Sequence, residues 1–68
     1  MFENWEKILT TDGQSKSEIS KMVLENHGVQ AVIMNKKDSS YLLGVFELYV
    51  PKDQAALARQ ILDNEFTD

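Results

Sequence analysis

The sequence predicts a small α+β domain: a ferredoxin-like βαββα chain whose three-stranded antiparallel sheet, of order 1-3-2, carries two helices on one face. Three observations predict it. One polar-and-apolar run ends in Asn26-His27-Gly28, the signature of a helix stop. Two β-rich runs follow, Val29 to Asn35 and Gly44 to Val50, close enough to pair. Then Pro51 breaks the ladder and opens an alanine-rich segment.

Taken in order, Trp5 to Thr10 is a first strand of aromatic and aliphatic residues. Thr11-Asp12-Gly13 is turn chemistry, and Asp12 is placed to accept from the free N–H groups of the next helix. That helix runs from Gln14 to His27. Ile19, Met22 and Val23 fall at i, i+3 and i+4, which predicts its apolar stripe, with Ser15 and Asn26 on the same side. Glu18 near the start and His27 at the end suit the helix dipole. Gly28 suits the left-handed residue after a helix.

The second strand is Val29 to Asn35 and the third Gly44 to Val50, joined by ~8 residues, long for a hairpin. Lys52 to Asn64 is a second helix with Ala55, Ala58, Ile61 and Leu62 on its buried side. Glu65 to Asp68 is too short and acidic to promise a fourth strand.

A strand–helix–strand unit followed by a hairpin has few compact solutions. The crossover should be right-handed. With the third strand in the middle, each neighbouring pair is antiparallel. Alternation then assigns Ile8, Val29, Ala31, Ile33, Phe46, Leu48 and Val50 to the helix side. The other face receives Trp5, Leu9, Val32, Met34, Val45 and Tyr49. A one-sided sheet is usually polar on its free face. This one is mostly apolar, which marks it as a candidate surface for a second copy or another protein. The plainer account is that β-propensity alone favours valine and tyrosine on an open face. The outer edge of the first strand is a further candidate contact.

Composition sets the limits. The chain has 68 residues, one domain spanning 1–68. Domains this small usually need disulfides, a metal or oligomerisation. There is no cysteine, and His27 is the single histidine, so a conventional thiolate or histidine metal site is excluded and self-association is the aid to expect. A net charge of −4 argues against non-specific nucleic-acid binding and against anionic membranes. No apolar run approaches the ~20 residues of a membrane span. Met1 to Glu6 lacks the basic and apolar regions of a signal peptide, so a cytoplasmic location is expected.

Few residues suggest chemistry. His27 stands alone and reads as a capping residue. Glu47, the one charge among apolar neighbours, reads as a cross-strand partner of Lys7 rather than an acid–base group. Lys36, Lys37, Ser39 and Ser40 form a small basic loop that could hold a phosphate, without the glycine-rich spacing of a phosphate cradle. Asp63, Glu65 and Asp68 read as a solvated acidic end rather than a cation site.

Lys7-Ile8-Leu9-Thr10-Thr11, Glu25-Asn26-His27-Gly28-Val29, Ala31 to Asn35 and Gly44 to Pro51 together resemble a small bacterial family of prokaryotic signal-transducing proteins of unknown function. The resemblance runs from about Lys7 to Leu62. It implies a ferredoxin-like fold related in shape to nitrogen-regulatory PII proteins, and a role in signalling. PII proteins carry a long loop between their second and third strands for nucleotides and partners. Here that loop is only Lys36 to Leu43, and no catalytic or ligand residue carries across. The function expected is therefore a non-enzymatic protein-interaction module without a cofactor. The alternative is a small-ligand or nucleotide sensor that uses the 36–43 loop.

Overall fold

The computed structural model describes residues 3–36 and 45–66. Strand β1 (Trp5–Thr11) leads into helix α1 (Gln14–Asn26) and strand β2 (Val32–Lys36). Strand β3 (Val45–Pro51) runs through a single 3-10 turn, Lys52–Gln54, into helix α2 (Ala55–Phe66). The sheet has the expected order β1-β3-β2, and both pairings are antiparallel. The Lys52 N–H donates to the Asn4 carbonyl at 2.8 Å, which ties the entry of β1 to the exit of β3.

The helix-covered face holds the core. Leu48 and Val50 of the central strand are fully buried, and Leu24, Val29, Ala31, Ala55, Ala58, Ile61 and Leu62 are buried around them. Each of the four residues expected on the inner side of α2 is there. Alanine at two of them lets the helix sit close to its neighbours. Glu6 of β1 accepts from the Arg59 guanidinium of α2, an exposed ion pair across the two layers.

Helix α1 is rotated from its expected orientation. Ile19 and Met22 are exposed, at 48% and 58%, and Ser15 and Asn26 are exposed as well. Ser17, Ser20 and Leu24 face inward instead, and Val23 packs against the margin of the core. Small residues at i and i+3 let the helix approach closely where larger ones would hold it off. The Ser17 hydroxyl donates to the Gln14 carbonyl at 2.7 Å, so its burial leaves no unmet donor. Ser20 is different. Its hydroxyl is buried and has no partner among the described residues. An orphan buried polar group costs about 1–3 kcal/mol. Ser20→Ala should therefore raise stability by ~1 kcal/mol, read as a higher urea midpoint. A lower midpoint would show that the hydroxyl is satisfied after all.

The ends of α1 explain two more differences. Gly13, not Asp12, is the residue before the first turn, and no side chain caps it. Asp12 lies one position too early. The Gly13 N–H is taken by the Thr11 hydroxyl at 3.1 Å. At the other end, the Gly28 N–H donates to the Glu25 carbonyl and the Val29 N–H to the Leu24 carbonyl, at 3.0 and 2.9 Å. This pair of bonds is a Schellman motif, with Leu24 and Val29 as its apolar partners. Because the Val29 N–H is used there, it cannot join a ladder, and β2 starts at Val32 rather than at Val29.

Gly28 has φ of 80°, a conformation that disfavours any residue with a Cβ. A Cβ added there would touch nothing within 4 Å, so the strain is purely in the backbone. Gly28→Ala should cost ~1–2 kcal/mol. Urea denaturation checks this, and an unchanged midpoint would mean that the helix stop tolerates another geometry.

Candidate functional site

The uncovered face of the sheet follows from pairing, because directly opposed residues point the same way. β3 contributes Val45, Glu47 and Tyr49. Across from them, β2 places Lys36, Met34 and Val32. On the other flank, Trp5 opposes Pro51, Lys7 opposes Tyr49, and Thr10 opposes Glu47. Five of the six residues expected on this face are therefore on it: Trp5, Val32, Met34, Val45 and Tyr49. All five are half-buried.

Leu9 is the correction. The register slips between Lys7 and Leu9, so that Leu9 opposes Leu48 and the extra residue Ile8 sits in a bulge. Ile8 and Leu9 both pack against the core on the helix side. Strict alternation cannot place adjacent residues on one face. An inserted residue can.

At the centre of the open face, the Lys7 ammonium lies 3.3 Å from Glu47 Oε2. The Tyr49 hydroxyl donates to Glu47 Oε1 at 3.0 Å. Burial alone would push the Glu47 carboxyl up. The hydrogen bonds from Tyr49 and Lys7 and the charges of Lys7 and Lys36 outweigh it and hold the group below its ordinary value of 4.5. Donating to that carboxylate in turn pushes the Tyr49 phenol up. Glu47 is thus a fixed anion at neutral pH, the opposite of a proton donor poised for catalysis.

The sign for stability follows. A carboxyl with a lowered folded pKa stabilises the fold above its unfolded pKa and loses that contribution as pH falls through the folded value. The urea midpoints of the wild type and Glu47→Gln should differ at pH 6 and converge as pH drops below 4.5. Parallel curves over that range would remove the linkage.

Lys36 ends β2 and is exposed. Lys37, Ser39 and Ser40, the rest of the expected ligand loop, lie outside the described residues. His27 is the C-terminal cap of α1, and its Nδ1 bonds the Val23 carbonyl at 2.9 Å, as a capping residue should. Asp63 and Glu65 belong to α2, and Asp68 lies outside the described residues. Among the described residues, no three histidine or carboxylate groups converge in a way that could hold a metal ion. No helix there is long and apolar enough to cross a membrane.

Among the described residues, grooves border the helices, and two are well formed. One, of about 520 Å³, lies between α1 and the sheet, with Ile33 and Phe46 below and Glu18, Lys21 and Glu25 along its rim. The other, of about 350 Å³, lies where α1 and α2 meet over β1. Neither was legible in the sequence, since each is built from elements remote in the chain and depends on the rotation of α1, and the second depends on the bulge in β1 as well. No family model, curated protein or solved structure matches this chain.

Proposed function

We propose that this chain is a non-enzymatic interaction module that docks protein on its open sheet face, with a second copy of itself as the occupant. The observation that carries the reading is the composition of that face. Trp5, Val32, Met34, Val45 and Tyr49 surround a single ion pair on the side no helix covers. An open antiparallel face is ordinarily polar.

Shape and charge support the choice of occupant. The fold is a slab of 34 × 33 × 15 Å, two layers thick. In a two-layer slab the second face of the sheet has no layer of its own chain to cover it. Lys7 and Glu47 also make the face self-complementary in charge, as a two-fold contact requires. A chain without cysteine suits a reducing compartment, and we assign it to the cytoplasm, in the signalling role that its sequence resemblance implies.

Sedimentation equilibrium at micromolar concentration tests the reading, together with solvent quenching of Trp5 fluorescence. A dimer with Trp5 shielded is expected. A strict monomer whose Trp5 is fully quenched would overturn the self-association.

A further inference from the structure

We infer that the groove between α1, α2 and β1 is a binding site for a small amphiphilic anion, an apolar chain that ends in one carboxylate. It lies in the helical layer, away from the open sheet face, and is independent of what that face does.

Three observations converge on it. The first is the bulge in β1. It turns both Ile8 and Leu9 toward the helices, and both line this groove. Bulges are common beside functional sites because they re-aim a side chain without disturbing the rest of the strand. The second is the apolar wall opposite. Leu62 and Phe66 of α2 complete it, and Phe66 is 48% exposed, a large aromatic surface left facing water.

The third is charge. In a chain of net charge −4, this groove is lined by two cations, Lys16 and Arg59, and one anion, Asp63. Lys16 has no ion pair among the described residues. Arg59 engages Glu6 through Nη2 alone, which leaves its other N–H groups to donate. An apolar cleft with Lys16 at its α1 edge, the one lining cation that has no ion pair among the described residues, matches a ligand with an apolar body and a single anionic head placed there, away from Asp63 and Glu6. A neutral chain would leave Lys16 unused. An inorganic anion would leave the apolar walls wet. At about 350 Å³ the groove admits a small molecule rather than a folded partner.

The test is an amide NMR titration of the full chain with octanoate, with 1-octanol and sulfate as controls. Octanoate should give saturable shifts centred on Ile8, Leu9, Lys16 and Phe66. Octanol should bind about fivefold more weakly, the loss expected for one exposed charge contact. Lys16→Gln should reduce octanoate to the level of octanol, and because Lys16 is exposed this variant keeps the fold. Added salt should weaken octanoate and leave octanol unchanged. Absence of shifts at these positions, equal binding of octanol, or an unaffected Lys16→Gln variant would each overturn the site.

Discussion

Leu48→Ala should bring this domain close to unfolding. Leu48 lies in the central strand, is fully buried, and is flanked across the sheet by Leu9 and Ile33. Truncating a buried leucine costs about 2–5 kcal/mol, the range reflecting how far the cavity collapses. Collapse is restricted here, because Leu48 is held on both flanks by ladders and covered by the helices. At ~0.05–0.15 kcal/mol per residue, a 68-residue chain has roughly 3–10 kcal/mol in total. One methyl cluster thus represents a large share of the whole. Leu57→Ala is the control, since Leu57 is 49% exposed and should change stability by less than about 0.5 kcal/mol. Urea or thermal denaturation of the two variants decides the matter. Equal midpoints would mean that the core is centred elsewhere.

The second large effect concerns the open face. Val32→Lys should abolish self-association while preserving the fold. Val32 is in the edge strand β2, opposite Tyr49 and diagonal to Glu47. Lysine is well tolerated on edge strands and is a common defence against unwanted pairing. In the monomer the new ammonium can reach water and the Glu47 carboxylate. In a dimer it would be desolvated on a face that already carries Lys7 and Lys36, with the one carboxylate in reach, Glu47, already engaged by Lys7 and Tyr49. An uncompensated buried charge costs about 3–5 kcal/mol, so the dimer should weaken at least a hundredfold. Circular dichroism must stay native while sedimentation shifts to monomer. A variant that still dimerises would exclude the sheet face as the contact and point to the helices, where Ile19 and Met22 are exposed.

Much of this fold was legible before any coordinates. The inner side of α2 was clear because Ala55, Ala58, Ile61 and Leu62 match a helical period without a rival pattern. The stop at Gly28 was clear because only glycine takes that backbone freely. The Lys7–Glu47 pair was legible from the strand order, since one cation and one anion fall near each other on one face.

The inner side of α1 was not. Counting apolar residues favours Ile19, Met22 and Val23, while the structure buries Ser17, Ser20 and Leu24. Helix rotation is set by how closely the helix must approach the layer beneath it, a quantity that no single segment encodes. Leu24 was the available signal, because it stands at the third position of the Schellman stop and must meet Val29. Leu9 was misplaced for a related reason. A bulge is a property of a pair of strands, invisible in either one alone, and it moved one leucine from the open face to the wall of a groove.

The sequence by itself thus determined the element order, the sheet topology, the second helix face and the apolar character of the uncovered sheet, because each rests on local periodicity or on one residue with a special backbone. Only the tertiary structure decided the rotation of α1, the bulge at Ile8 and the two grooves. Those arise where elements meet, and close packing between layers, rather than the pattern within any one of them, selects the side chains that face inward.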